Sequence, residues 1–254
     1  MDLDNHNQFG IFAKYYDILN YNANYKKVAD YIENVFEIYK KKPGLVLDLA
    51  CGTGNLAIEL DNRGYDMTGL DLSNEMLSVA AAKNKNNILW INQDMSSFEL
   101  YGTVDAIICC FDSLNYIQDE ENIKKCFMSV YNYLNPGGLF IFDINSKYKF
   151  EVIYARNNFV LEKKNIFCSW QNNYNKKNKT CDFYLTFFVR QPDGGYKRYI
   201  ENQREKYYGE EFLTETLLAA GFGDIKIFYD FDCTGQNITK EGREERVCFA
   251  AMKE

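Results

Sequence analysis

Three aspartates stand at corresponding places along the first half of the chain. Asp48 lies in Leu47-Asp48-Leu49-Ala50-Cys51-Gly52-Thr53-Gly54, Asp71 follows Gly54 by seventeen residues, and Asp94 follows Asp71 by twenty-three. Each falls in or just after a short apolar run that reads as a strand. Glycines where such a strand gives way to a helix let the backbone turn tightly and let a ligand approach the main chain. Other chemistries have little to draw on. The sequence holds a single histidine, His6, so Ser-His-Asp triads, Cys-His dyads and multi-histidine metal sites are not expected. Its eight cysteines show no C-x-x-C spacing and read as reduced, buried hydrophobes. No metal is expected.

A pyrophosphate seated on the glycine turn would meet the Asp48 carboxylate, whereas a cation would be attracted to it. Asp71 can accept both hydroxyls of a ribose, and Asp94 can reach an adenine amino group. The ligand so described has a ribose, an adenine and a positive charge but no phosphate. S-adenosylmethionine, with its sulfonium and ammonium, fits. Two other readings stay open here. A lone G-x-G also occurs in nicotinamide-dependent oxidoreductases, and Asp48 or Asp71 could merely cap turns.

The elements that must position these residues alternate. Apolar residues at Val28, Ile32, Val35, Phe36 and Tyr39 form one stripe of a helix over Tyr25 to Tyr39, ended by a lysine run and Pro43-Gly44. Strands are expected at Leu45 to Leu49, Tyr65 to Leu70, Ile88 to Asn92, Val104 to Cys110 and Leu139 to Ile144. Helices are expected between them at Leu56 to Leu60, Glu75 to Lys83 and Glu120 to Leu134, the last capped by Asp119. This alternation implies an α/β fold with a mostly parallel sheet and right-handed crossovers. From Phe159 to Tyr207 the pattern turns to aromatic and β-branched segments, with turns at 175–178 and 191–195. Thr180 to Arg190 reads as the longest of these strands. A helix at Glu210 to Ala220, with Gly221 behind it, and strands at Ile225 to Phe231 and Arg246 to Met252 close the chain.

The motifs LDLACGTG, the acid of GLDLS, QDM, LNPGG before the fifth strand and LAAGF before the final hairpin resemble those of class I S-adenosylmethionine-dependent methyltransferases. The match covers most of residues 44 to 145 and 210 to 254. It is closest to bacterial small-molecule methyltransferases with FxxxYD near the N-terminus (Phe12 to Asp17) and DSLNY after the fourth strand. Amino-sugar N,N-dimethyltransferases are more distantly similar and carry a comparable β-rich insertion. Ala50 stands where the family often has a first glycine. The resemblance implies a Rossmann-like seven-stranded, mostly parallel sheet with the last strand antiparallel, plus a smaller antiparallel β insertion. Residues 1–145 and 210–254 would bind the cofactor, and residues 146–209 would form a substrate lid or dimer surface. It implies that Ala50, Gly52 and Gly54, with Asp48, line the methionine end. Asp71 and Leu72 would meet the ribose, Asp94 and Met95 would flank the adenine, and Met76 belongs to the same cofactor set. Phe111 would close the pocket beneath the sulfonium and Tyr16 would cover it from above. Rings beside a sulfonium have a use, since a cation over an aromatic face gains roughly 0.5–2 kcal/mol.

Methyl transfer from a sulfonium needs an acceptor held roughly 3–3.5 Å from the methyl, and alignment alone supplies about 7–11 kcal/mol, so a strong base is not obligatory. Candidate acceptor contacts are Asp112, Ser113, Asn115 and Tyr116, after the fourth strand, with Asp112 and Tyr116 taken as the catalytic pair. Amino-sugar enzymes have a histidine near the position of Tyr116, so Tyr116 departs from them. Insertion aromatics (Phe167, Trp170, Tyr174, Phe183, Tyr184, Phe187, Phe188) could line an acceptor pocket or simply pack the sheet. Arg204 is a further candidate contact.

A net charge of −7 argues against a nucleic-acid face. No Asn/Asp-Pro-Pro-aromatic motif follows the fourth strand and no Pro-Cys pair exists, so a small-molecule acceptor, at N or O, is expected. No apolar run is long enough for a membrane span, and the acidic start Met1-Asp2-Leu3-Asp4-Asn5 is unlike a secretory leader. A cytoplasmic enzyme, monomer or homodimer, is expected. An RNA methyltransferase, a non-catalytic S-adenosylmethionine sensor and a nicotinamide-dependent oxidoreductase are the alternatives.

Overall fold

The computed structural model of the chain describes residues 9–83, 88–155, 157–235 and 242–254. His6 lies outside the described residues. After helix α1 (Ala13–Leu19) and helix α2 (Tyr25–Ile38), strands and helices alternate. They are β1 (Leu45–Leu49), α3 (Asn55–Asp61), β2 (Asp66–Asp71), α4 (Asn74–Lys83), β3 (Leu89–Asn92), β4 (Val104–Cys109), α5 (Glu120–Tyr133) and β5 (Leu134–Asn145). A separate antiparallel sheet follows, β6 (Phe159–Lys163), β7 (Ile166–Asn175), β8 (Thr180–Arg190) and β9 (Tyr196–Lys206). The chain closes with α6 (Glu210–Ala220), β10 (Phe222–Tyr229) and β11 (Arg246–Lys253).

The main sheet has the order β10-β11-β5-β4-β1-β2-β3, with β11 antiparallel to both neighbours. The strand order reverses between β1 and β4, and in open α/β sheets ligands bind in the crevice beyond the strand ends at such a point. Alternation along the strands builds a core on each face. Leu47, Leu49, Ile107, Cys109, Phe140 and Phe142 pack against α5 and α6. Val46, Ala106, Ile108, Leu139 and Ile141 pack against α2 and α3. Asp48 shares that second face with Val46, which puts a carboxylate among apolar neighbours.

Sequence expectations hold for most elements, with instructive shifts. Asp119 caps α5, accepting from the Asn122 N–H at 2.9 Å, and Gly221 ends α6 at φ 102°. β5 starts at Leu134 rather than Leu139, because the chain joins the sheet straight from α5 and absorbs Pro136-Gly137-Gly138 in an irregular register beside Val104. β10 starts at Phe222 and carries a bulge before Lys226. β8 and β9 each run eleven residues, so Thr180–Arg190 shares its length with the next strand. Three elements were not expected: α1, a 3-10 helical turn over Ser113–Tyr116, and a π-helical turn over Lys149–Tyr154. α1 packs on the second sheet, where Phe12 meets Phe187 at a ring distance of 5.8 Å. The N-terminal segment therefore shares its core with the insertion rather than with the main sheet.

Candidate active site

The glycine turn leaves β1 through three left-handed residues, Ala50 (φ 60°), Gly52 (φ 54°) and Gly54 (φ 74°). A side chain at Gly52 would meet nothing within 4 Å, because Gly52 faces open space. Gly54 is glycine for another reason: a Cβ there would lie 2.4 Å from the Trp90 ring. Gly54 does not border the cavity, whereas Ala50 and Gly52 do. Asp71, at the end of β2, accepts from the Gly52 N–H and the Ser73 N–H, each at 2.8 Å, which fixes its carboxylate across the turn. Burial nevertheless raises its pKa. Asp48 is 3% exposed, and its Oδ2 has no hydrogen-bond partner among the described residues. Burial, with Asp71 adding repulsion, pushes its carboxyl up to about 8. Asp94 caps the next turn, accepting from the Ser96 N–H at 2.8 Å and the Ser96 hydroxyl at 2.7 Å.

These residues open onto one cavity of about 810 Å³, which also meets Leu72, Met76, Met95, Phe111 and Tyr16. Tyr16 comes from α1. The next residue, Asp17, ties that helix down: it accepts from the Thr53 hydroxyl at 2.6 Å and Asn55 Nδ2 at 2.8 Å, and pairs with Lys83 Nζ at 2.7 Å.

The far end of the cavity is built by the turn after β4, the turn after β5 and the inner face of the second sheet. Phe111 and Asp112 are both left-handed (φ 60° and 56°). Asp143, wholly buried on β5, holds that turn by accepting from the Phe111 N–H at 2.7 Å and the Asp112 N–H at 3.0 Å. Arg246 of β11 spans both acids, with Nη2 on Asp112 Oδ1 at 2.5 Å and Nη1 on Asp143. Asp112 borders the cavity, as expected of an acceptor contact, with its carboxylate paired to a cation from within the protein. Ser113 and Tyr116 also border the cavity, but Asn115 does not. Asn115 is structural: its Nδ2 donates to the Lys206 carbonyl at 2.8 Å and its Oδ1 accepts from the Asn145 N–H at 2.9 Å.

On β9 the alternation Glu201-x-Gln203-x-Glu205 turns polar side chains inward. Gln203 and Glu205 reach the cavity, together with Trp170, Tyr154 and Lys149. Tyr116 donates its hydroxyl to Gln203 Oε1 at 3.3 Å, the Gln203 side chain also interacts with Glu201, and Trp170 Nε1 is buried without a partner among the described residues. Burial pushes the Tyr116 hydroxyl well up, and burial with the Arg246 charge pulls the Lys149 ammonium down. Arg204 points to the other side of β9 and pairs with Asp182, so it is not a cavity residue. Of the insertion aromatics named from sequence, only Trp170 borders the cavity, and Phe183 and Phe187 are core. Arg246, Lys149, Tyr154, Gln203 and Glu205 were not anticipated. The inward polar alternation of β9 is the one signal that could have raised Gln203 and Glu205.

Comparison with known proteins gives this geometry a class. Residues 46–138 match a methyltransferase domain family. YqeM of Bacillus subtilis (strain 168), which is named as a methyltransferase, is 32% identical over 245 residues, covering 95% of this chain and 96% of that protein. A crystal structure of an S-adenosylmethionine-dependent methyltransferase from Clostridium acetobutylicum is 33% identical, covers 96% of this chain and 98% of its own, and superposes with a TM-score of 0.84. CalS10, an amino pentose methyltransferase of Micromonospora echinaspora solved with S-adenosylmethionine bound, shares the fold at 18% identity. It covers 97% of this chain and 98% of its own, with a TM-score of 0.73. The chain belongs to the S-adenosylmethionine-dependent methyltransferases, and S-adenosylmethionine is its cofactor. The site fits that molecule: Asp48 offers an orphaned, buried carboxylate oxygen to a cation, and Gly52 leaves room at the turn. No described helix is long and apolar enough to cross a membrane.

Proposed function

We propose that this enzyme methylates a nitrogen or oxygen of a small polar molecule by in-line displacement, in the cytoplasm. The observation that carries the reading is the single cavity joining the glycine turn to the polar face of the second sheet. Asp48, Ala50 and Gly52 would hold the methionine end of the cofactor. Asp71 and Leu72 would hold its ribose, and Asp94, Met95 and Met76 its adenine. Tyr16 and Phe111 would flank the reacting centre. Bound S-adenosylmethionine supplies a methyl group already activated on a sulfonium. The protein's part is to align an acceptor against it and exclude water.

Acceptor recognition falls to the insertion, residues 146–209, acting as a lid together with α1. Unpaired buried donors are costly unless something completes them. Trp170 Nε1, on a side chain that borders the cavity, therefore favours an acceptor with oxygen atoms to offer. Tyr116 orients the Gln203 amide, and Asp112 shapes the wall through Arg246. Amino-sugar methyltransferases among the fold relatives support a small-molecule acceptor. Eight free cysteines suit a reducing compartment. The test is calorimetric titration with S-adenosylmethionine, S-adenosylhomocysteine and NADPH, repeated with Asp71→Ala. Micromolar binding of the two adenosyl ligands alone, abolished by the substitution, is expected, and NADPH binding would overturn the assignment.

A further inference from the structure

The acceptor end of the cavity has no imidazole, since no histidine lies among the described residues. Its carboxyl groups are unequal. Asp112 is held by the Arg246 guanidinium, and Asp143 behind it shares the same cation. Glu205 is 2% exposed, borders the cavity and accepts from a neutral donor, Asn145 Nδ2, at 2.7 Å from Oε2, with the Lys149 ammonium as its cationic neighbour. That donor is fixed in turn: the Asn145 N–H donates to Asn115 Oδ1 at 2.9 Å, and Nδ2 also reaches the Tyr154 hydroxyl at 3.3 Å. Glu205 also lies against the Asp112 carboxylate, one residue from Phe111.

We infer that Glu205 is the base that receives the acceptor's proton, and that the methylated atom is an amine nitrogen or hydroxyl oxygen still carrying hydrogen when it reacts. The inference rests on the methyltransferase reading of this cavity and adds to it a catalytic residue on the insertion. In the step, the acceptor lone pair forms the bond to the methyl carbon. The carbon–sulfur bond breaks, and its electron pair stays on sulfur as a neutral thioether. The N–H or O–H proton passes to a Glu205 oxygen and is lost to water after product leaves.

The surroundings suit that role. Asp112, Tyr116, Lys149, Tyr154 and Cys181 face Glu205 from three other parts of the chain. Burial and the Asp112 charge raise its proton affinity, and Lys149 opposes them. A sulfonium arriving beside Phe111 adds a positive charge that favours ionised Glu205 before transfer. As the positive charge moves from sulfur to the acceptor, the carboxylate faces it and takes its proton. Asp112 is instead committed to its ion pair with Arg246.

The experiment needs no known acceptor. Protons released on binding are measured by calorimetry in buffers of different ionisation enthalpy, for S-adenosylmethionine and S-adenosylhomocysteine, with wild type and Glu205→Gln. Both ligands carry the ammonium that would face Asp48, so its contribution cancels, and only the first carries the sulfonium. Wild type should release more protons with S-adenosylmethionine, by up to one per site, and Glu205→Gln should lose the excess while binding both ligands. Equal release by wild type, or an excess that survives in Glu205→Gln, overturns the inference. Failure of either ligand to bind wild type overturns the methyltransferase reading instead. Should Glu205→Gln not fold, Glu205→Asp serves, with a reduced excess expected and an unchanged one counting against. With any amine or hydroxyl acceptor found in a panel of amino sugars and amino acids, Glu205→Gln should lower kcat about 10²–10⁴-fold and remove the acid limb of the pH profile.

Discussion

Arg246, on the last strand, is paired with Asp112, from the turn after β4, at 2.5 Å across the floor of the cavity. Its second arm reaches Asp143, and its guanidinium lies 5.9 Å from the Phe111 ring and 5.7 Å from the Phe231 ring. One side chain thus ties β4, β5 and β11 together beneath the reacting centre. Removing it leaves two acids uncompensated, one of them wholly buried. Arg246→Met should cost about 3–5 kcal/mol of stability, read from urea unfolding. Arg246→Lys should recover only part of it, because an ammonium cannot fork to both carboxylates. A loss too small to measure would mean that the acids simply become protonated.

Asp48 makes stability depend on pH in an unusual direction. Its pKa rises from an ordinary 3.8 to about 8 in the fold, through burial and the neighbouring Asp71. Below pH 3.8 it is protonated folded or unfolded and contributes nothing. Between those values the unfolded chain ionises and the fold does not, so stability falls as pH rises, levelling above about 8. Asp48→Asn should therefore be the more stable protein at neutral pH without ligand, and its profile should be flatter across that window. The same carboxylate should make cofactor affinity rise with pH toward 8 in wild type but not in Asp48→Asn, because a ligand ammonium favours the ionised form. Thermal unfolding and titration at several pH values check both halves.

The two turn glycines should separate folding from binding. At Gly54, left-handed backbone combines with a Cβ position 2.4 Å from Trp90, so Gly54→Ala should destabilise by about 1–3 kcal/mol or more. At Gly52 the space is open, so Gly52→Ala carries only the backbone penalty, about 1 kcal/mol. Its methyl points where the cofactor would sit, and S-adenosylhomocysteine affinity should drop at least tenfold. Equal effects of the two on affinity, corrected for folding, would refute the distinction.

What the sequence disclosed and what it hid follow from range. The continuous apolar run of β1, the glycine turn and the cap of α5 are written in neighbouring residues, and the strand–helix alternation is what implies a mostly parallel sheet. α1 was hidden because it is seven residues long, with no side-chain cap and no acid in its first turn. The acceptor end was hidden because its chemistry is made by pairs far apart in the chain. Asp143 meets Arg246 across 103 positions and Asn145 meets Glu205 across 60. Asp112 read alone is an open carboxylate, and only Arg246 shows that it is already neutralised.

The strap formed by α1 gives the last prediction. Asp17 fastens α1 to the glycine turn through Thr53 and Asn55 and to α4 through Lys83. α1 carries Tyr16, and Phe12 just before it, over the cavity. With Asp17 and Lys83 side chains 35% and 29% exposed, the pair is worth only about 1 kcal/mol to stability. A latch of that strength holds a cover closed most of the time and still lets it open. Asp17→Ala should barely change the unfolding midpoint, yet should speed S-adenosylhomocysteine release several-fold in a stopped-flow chase. Lys83→Met should do the same to a lesser degree, since Asp17 keeps Thr53 and Asn55. Because both act through one latch, the double variant should release the ligand no faster than Asp17→Ala alone. Additive effects, or release rates equal to wild type, would show that α1 is fixed packing and that the cofactor leaves by another route.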